Sequence, residues 1–168
     1  MPGASSGEGP AGGTLSRLSS ISIAGPAGPL EALVQERDGG PHPIAAVVCH
    51  PHPLHGGTLH NKVVHRAASV LHGLGAAVLR FNFRGAGQSA GTHDRGEGEL
   101  EDAAAALAWM RERHPHARPW LVGFSFGAWV AARLAARESA VERLILIAPP
   151  IRTSSFAAMH ECRTPKIV

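Results

Sequence analysis

One short segment of the sequence could carry a nucleophile. Ser125 stands between Gly123 and Gly127 in the run GFSFG, where an apolar segment meets a segment of small residues. At a strand-to-helix junction this G-x-S-x-G spacing puts the serine on a tight, strained turn, and the two glycines avoid a steric collision. The hydroxyl is then exposed at a helix N-terminus, whose N–H groups stabilise a developing oxyanion. The pattern predicts acyl transfer through Ser125; the simpler interpretation is a helix-capping serine between packing glycines.

A second segment, HPHPLHGG, directly follows the apolar run IAAVVC. Acyl transfer needs a further backbone N–H donor from a loop at this place. The two prolines have no N–H, so only His50 and His52 can donate among the first four residues of the loop. We predict that His52 is the donor, because it lies two positions beyond the end of the strand.

The same segment allows a metal-site interpretation, because it is dense in imidazoles. The candidate ligands are His50, His52, His55 and His60. No carboxylate occurs between Asp38 and Asp94, so a zinc site would need four imidazoles or a distant ligand. We therefore expect no metal, and we expect most of these histidines to hold the loop through hydrogen bonds.

A third segment, FNFRGAGQS, contains glycines at Gly85 and Gly87 that, with Ala90, also satisfy a dinucleotide-binding fingerprint. That fingerprint must lead straight into a helix, but further glycines keep the following residues irregular. No acidic residue ends the next predicted strand to meet a ribose. We therefore expect no nicotinamide or flavin, and no other cofactor.

The elements that must position these segments alternate along the chain. Apolar runs predict strands at 18–23, 30–35, 44–49, 76–83, 120–123 and 144–147, and helical spacing predicts helices at 61–72, 97–114 and 126–137. The first two strands are expected to form a pair. The later succession of strand, helix and strand implies right-handed crossovers, so we predict an α/β fold with a mostly parallel sheet and helices on both faces.

The composition indicates one globular domain. The chain has 168 residues, and its charged fraction is 17% with a net charge of +3. The basic residues are scattered and no apolar run is long enough to span a membrane, so we expect neither a nucleic-acid nor a membrane partner. Residues 1–14 resemble a disordered tail rather than a signal peptide. The two cysteines, Cys49 and Cys162, suit a reducing compartment, and a cytoplasmic location is expected.

Together, HPHPLHGG, NFRGAGQSAG and GFSFG resemble the α/β-hydrolase superfamily in their order and spacing. They are most similar to small lidless serine hydrolases related to dienelactone hydrolases, and the resemblance covers nearly all of residues 15–168. It implies an α/β-hydrolase fold and cleavage of a small-molecule carboxylic ester or thioester without a metal. It implies that Ser125 is the nucleophile and that the backbone N–H groups of Phe126 and His52 form the oxyanion hole. Residues Arg84–Ser89 would border the site.

The resemblance also implies an acid and a histidine after the serine. Downstream of Ser125 there is no aspartate, and the candidates that remain are Glu138, Glu142, Glu161 and His160. The first two glutamates fall between a helix and a strand, at the far edge of the sheet. His160 and Glu161 are adjacent in the sequence, so we expect their side chains to point in different directions. The final run TPKIV is typical of the start of another buried strand.

Two hypotheses follow. In the first, the chain is an incomplete serine hydrolase domain at 15–168, with the final strands and helix, the acid and the histidine expected beyond Val168. In the second, it is a non-catalytic module that keeps the serine turn without a complete triad. The sequence leaves the substrate and the oligomeric state open.

Overall fold

A computed structural model describes residues 15–160 and 162–168 of the chain. The strands are β1 (Ser16–Gly25), β2 (Gly28–Arg37), β3 (Ile44–Cys49), β4 (Ala77–Phe81), β5 (Arg118–Phe124), β6 (Arg143–Ile147) and β7 (Lys166–Ile167). The α-helices are α1 (Lys62–Gly73), α2 (Glu97–Arg113) and α3 (Phe126–Arg137), with short helical turns at Pro53–His55 and Ala157–His160. The predicted disordered tail at 1–14 lies outside the described residues.

All of the described strands belong to one sheet, in the order β1-β2-β4-β3-β5-β6-β7. The strands β4, β3, β5, β6 and β7 run parallel to their neighbours, whereas β1 and β2 form an antiparallel hairpin that continues onto β4. This arrangement confirms the predicted α/β fold with a mostly parallel sheet. It also places the ends of β3 and β5 next to each other, because these two strands pair directly.

Helices lie on both faces of the sheet, as predicted. Every residue of β3 is buried. Because alternate side chains of a strand point to opposite faces, this burial requires packing on both faces of the sheet. Ala45 and Val47 belong to a core cluster with α2 and α3, whereas Ala46 and Val48 belong to a second cluster with α1. The unbroken apolar run therefore reflects burial on two sides.

The helix bounds lie within one residue of the predicted ones, because the signals that begin and end the helices are local. Asn61 precedes α1, and its side-chain Oδ1 accepts from the backbone N–H of Val63 at 2.9 Å. At the start of α2 the carboxylate of Glu99 accepts from the N–H of Gly96 at 2.7 Å. These caps satisfy N–H groups that have no partner within their helix.

Every strand with a predicted range except β3 differs from that range by one or two residues at one or both ends, and two differences bear on the site or on the edge of the sheet. β4 ends at Phe81 instead of Phe83, because the N–H of Phe83 donates to the ring of His50 and not to a neighbouring strand. The predicted final strand exists as β7 and pairs with β6, but its two residues are exposed instead of buried. Among the described residues no helix lies over this edge, and Ile167 instead borders an open apolar groove between α1, β5 and β6. None of the helices that the structure describes is both long and apolar enough to cross a membrane.

Candidate active site

Ser125 occupies the turn that joins β5 to α3. Its backbone has φ +53° and ψ −118°, a left-handed conformation that is strained for any residue with a side chain. The turn is held from both sides: the N–H of Ser125 donates to the carbonyl of Ile147 at 2.9 Å, and its carbonyl accepts from the N–H of Ala128 at 2.9 Å. The surrounding structure therefore maintains the strained conformation that the motif predicts.

The two flanking glycines permit this turn. A Cβ atom at Gly123 would overlap the backbone of Gly127, one turn later in α3. A Cβ atom at Gly127 would overlap the carbonyl oxygens of Cys49 and His50, at the end of β3. Because the colliding atoms are backbone atoms, they cannot move aside as a flexible side chain would. The glycines thus bring the start of α3 into contact with the loop that follows β3.

The side chains of the two residues predicted to donate to the oxyanion contact each other across this region. The rings of His52 and Phe126 are 4.9 Å apart. Phe126 is the first residue of α3, where a backbone N–H has no partner in its own helix. Within the described residues neither its N–H nor that of His52 donates to a protein acceptor. The backbone N–H groups of Phe126, at the N-terminus of α3, and of His52, in the loop after β3, thus have no protein acceptor among the described residues.

His50 is a structural residue. Its ring is fully buried, with Nε2 accepting from the N–H of Phe83 at 3.0 Å and Nδ1 donating to the carbonyl of Pro51 at 2.6 Å. Burial lowers its pKa to about 4, so the imidazole is neutral near pH 7. Both ring nitrogens are used in joining the loop after β3 to the end of β4. His50 therefore has no nitrogen available for a metal.

The buried His50 is expected to make stability depend on pH. Its pKa is about 4 in the folded protein against an ordinary value of 6.5, so between these values the unfolded chain binds more protons. The free energy of unfolding should therefore fall by about 3 kcal/mol as the pH is lowered through this window. Urea unfolding between pH 7 and pH 4 measures it. The variant His50→Gln, which cannot titrate, should show a flatter profile; parallel profiles would contradict the assignment.

A second group of imidazoles lines the site. The ring of His52 stacks on that of His55 at 4.4 Å and lies 4.7 Å from that of His93. Burial, followed by repulsion from these two rings, holds the pKa of His52 below its usual value. The nitrogen atoms of stacked imidazole rings do not point toward one shared metal position. Of the parts of the chain that the structure describes, none brings together three His, Cys, Asp or Glu side chains in a way that could hold a metal ion.

His93 contacts a buried carboxylate that belongs to none of the sequence motifs. Its Nδ1 lies 2.7 Å from Oε1 of Glu99, which is completely buried. Glu99 also accepts from the N–H groups of Asp94 and Gly96. One carboxylate thus fixes the segment before α2 and brings His93 to the site. In the sequence Glu99 was visible only as one of several acids at the start of a helix.

The RGAGQS loop is held by an ion pair. The guanidinium of Arg84 binds the carboxylate of Asp102 through Nε at 3.0 Å and a terminal nitrogen at 2.8 Å, and Asp102 also accepts from the N–H of Arg84. Asp102 is completely buried, and its hydrogen bonds raise the pKa of Arg84. The helix after this loop starts only at Glu97, so the loop lacks the directly attached helix that a dinucleotide-binding turn requires.

An open cavity of about 520 Å³ adjoins His52 and Phe126. It is lined by His52, His55, His93, Arg95, Phe126, Trp129, Thr153, Ser154 and Ser155. These residues come from the loops after β3, β4 and β6 and from the start of α3. The indole Nε1 of Trp129 donates to the carbonyl of Ser155 at 2.8 Å, which ties the last of these loops to the cavity. The carboxyl ends of parallel strands thus surround one cavity.

Two of the acids that follow Ser125, Glu138 and Glu142, and the histidine that follows it do not line the cavity. Glu142 is at the start of β6, where its N–H donates to the carbonyl of Pro119, and Glu138 ends α3. The turn that contains His160 packs on α3 near Arg133 and Ala136. Arg133 is about 12 Å along the helix from Ser125 at 1.5 Å per residue. Glu161 lies outside the described residues.

Residues 54–164 match the sequence pattern of the alpha/beta hydrolase fold family. The chain belongs to this family, which confirms the resemblance carried by the three segments. The match covers the RGAGQS loop and the serine turn and begins within the HPHPLHGG segment, at Leu54, so the order of these two features agrees with the family assignment.

Three similar proteins come from bacteria. An uncharacterized protein of Rickettsia prowazekii is 41% identical over 148 residues, which are 86% of this chain and 62% of the relative. A serine hydrolase without a lid from Xanthomonas campestris is 43% identical, with a TM-score of 0.80 over 88% of this chain and 67% of the other. A serine hydrolase homologue from Coxiella burnetii is 42% identical, with a TM-score of 0.83 over 88% and 71%. The chain spans 62% of the length of the Rickettsia relative.

Proposed function

We propose that this protein is a serine hydrolase that cleaves small-molecule carboxylic esters or thioesters through an acyl-enzyme on Ser125. The proposal is carried by one observation: a strained, glycine-flanked turn holds Ser125 at the N-terminus of α3, where the N–H of Phe126 has no protein acceptor among the described residues. The Oγ atom attacks the carbonyl carbon, the bond to the alcohol or thiol breaks, and the serine proton passes to the leaving oxygen or sulfur atom. Water then attacks the acyl-enzyme and releases the acid.

The backbone N–H groups of Phe126 and His52 donate to the oxyanion of the tetrahedral intermediate. The N-terminal end of α3 adds a partial positive charge at the same place. Support also comes from the relative of Xanthomonas campestris, which is described as a serine hydrolase. No metal takes part in the proposed reaction, because the nucleophile is a hydroxyl and the oxyanion is stabilised by backbone dipoles.

A second candidate is a non-catalytic α/β-hydrolase module. One observation favours it: within residues 15–160 and 162–168 no hydrogen bond joins the hydroxyl of Ser125 to an imidazole or a carboxylate. A serine hydroxyl needs such a base to become a good nucleophile. Reaction of the serine with a fluorophosphonate separates the two candidates, since only an activated serine is phosphonylated rapidly.

We also infer a cytoplasmic location. Cys49 and Cys162 are both free and buried, which suits a reducing compartment. Burial raises the pKa of the Cys49 thiol to about 12, so it stays protonated and packs as a small apolar side chain.

The oxyanion role of His52 is tested by removing its N–H. The residue has φ −54°, close to the angle that proline imposes, so His52→Pro deletes the donor without straining that angle. We expect the rate of phosphonylation of Ser125 and of p-nitrophenyl acetate hydrolysis to fall about 100-fold or more, equivalent to about 2.7–4 kcal/mol.

The matched control is His52→Ala, which keeps the N–H and removes the same imidazole. The one hydrogen bond that its side chain makes to the described residues is accepted from the N–H of Leu54 at 3.2 Å, and its remaining contacts are between rings, so the loss of rate should be much smaller. Urea unfolding verifies that both variants fold. Equal rates for the two variants would show that the backbone of His52 does not stabilise the oxyanion.

A further inference from the structure

We infer that the cavity beside His52 and Phe126 binds a carboxylate of the substrate, with Arg95 as the cation that recognises it. The inference rests on the proposed function and narrows the substrate class to esters or thioesters that carry a second, anionic group. Three independent features of the cavity support it: the chemistry of its lining, the unpaired guanidinium of Arg95 and the apolar surface of its aromatic rings.

The lining contains one permanent cation and several hydrogen-bond donors but no acid. Three imidazoles, one guanidinium, three hydroxyl side chains and two aromatic rings face the cavity, and none of the lining residues is Asp or Glu. An anion would therefore meet no like charge in the lining. The three imidazoles and three hydroxyls can also donate hydrogen bonds to its oxygen atoms.

Arg95 is available to a ligand. Its side chain is exposed, and no carboxylate among the described residues lies within ion-pair distance of it. The acids nearby are already engaged, since Glu97 binds Arg133 at 2.8 Å and Glu99 contacts His93. Asp94 does not line the cavity. Arg95 is therefore an unpaired cation at the edge of a cavity that adjoins the reactive turn.

The backbone of Arg95 is also in an energetically unfavourable conformation. Its φ of +52° lies in the left-handed region, which costs free energy for a residue other than glycine. Gly96 follows with φ +97°, and a Cβ atom there would overlap the ring of Trp129. This close approach packs the segment against α3 and places Arg95 at the cavity.

The aromatic walls suit the apolar body of such a substrate. Phe126 and Trp129 have ring centroids 5.7 Å apart, and the guanidinium of Arg133 lies 4.9 Å from the centroid of the Trp129 ring. The indole is held further by its hydrogen bond to Ser155. A ligand with a flat apolar part and one carboxylate can therefore use both the rings and Arg95.

Equilibrium binding tests the inference without requiring turnover. The probes are 3-phenylpropanoate and its uncharged amide, 3-phenylpropanamide, each titrated into the protein while the indole N–H signal of Trp129 is followed by NMR. We expect the carboxylate to bind about fivefold more tightly than the amide at low ionic strength, as for a solvent-accessible ion pair. About 0.5 M salt should reduce this preference.

The variants identify the cation. Arg95→Asn should equalise the two probes, since asparagine tolerates the left-handed conformation but has no charge. Arg95→Lys should retain part of the preference. The control Arg152→Asn removes an exposed cation that does not line the cavity, and it should leave the preference unchanged. No preference in the wild type, or a preference that survives Arg95→Asn, would overturn the inference.

The same measurements distinguish a failure of the inference from a failure of the proposed function. Ser125→Ala should bind both probes as the wild type does, because the hydroxyl is not part of the lining. If Ser125 fails to react with a fluorophosphonate but the carboxylate preference depends on Arg95, the hydrolase proposal fails and the subsite stands. If Ser125 reacts and no preference is found, the subsite fails and the hydrolase proposal stands.

Discussion

Replacing Ser125 with alanine is expected to abolish labelling of the protein by a fluorophosphonate and to lower ester hydrolysis by about a thousandfold or more. The reason is that the glycine-flanked turn presents this hydroxyl, and no other, at the N-terminus of α3. The change removes only an oxygen atom, so the backbone hydrogen bonds of the turn should persist. Mass spectrometry of the labelled peptide that contains GFSFG locates the adduct.

The control for this prediction is Ser154→Ala. Ser154 lines the neighbouring cavity, so it tests whether any hydroxyl near the site can be labelled. We expect this variant to react as fast as the wild type. An adduct on Ser154, or no adduct on the wild type, would remove Ser125 as the nucleophile and leave the non-catalytic module as the better account of the chain.

Replacing Asp102 with alanine is expected to lower the free energy of unfolding by about 3–5 kcal/mol, because it leaves the guanidinium of Arg84 without its partner in a largely buried position. Asp102 has no exposed side-chain surface, and it accepts three hydrogen bonds from Arg84. The loss should appear as a lower urea midpoint. The RGAGQS loop should also become more open to proteolysis, since this pair joins it to α2.

The matched control lies one residue earlier on the same helix. Glu101 forms an ion pair with Arg137 in which both side chains are about half exposed (48% and 49%), so Glu101→Ala should cost less than about 1 kcal/mol. The double variant Arg84→Met, Asp102→Leu replaces both charges with apolar groups and should lose less stability than Asp102→Ala alone. Similar losses for Asp102→Ala and Glu101→Ala would show that the buried pair does not hold the loop.

The sequence alone predicted the architecture, because its strongest signals are local. The buried strand Ile44–Cys49 and the helix Phe126–Arg137 have the predicted bounds. An apolar run and helical spacing are properties of a few consecutive residues, and they do not depend on which strand lies beside them. The serine turn was predicted partly for the same reason: the clash that requires Gly123 is with Gly127, within one turn of chain, whereas the clash that requires Gly127 is with the end of β3.

The tertiary structure alone decided which residues surround that turn. His50 bonds to Phe83, 33 residues later, and Arg84 to Asp102, 18 residues later. His93 and Arg95 reach the cavity because Glu99 fixes the segment that carries them. Such contacts depend on the order β4-β3-β5, which the alternation of strands and helices does not determine. The exposure of β7 has the same origin. The residues around β7 are typical of a buried strand, but burial also requires another element that packs against the strand, and the local residue pattern does not determine whether one is present.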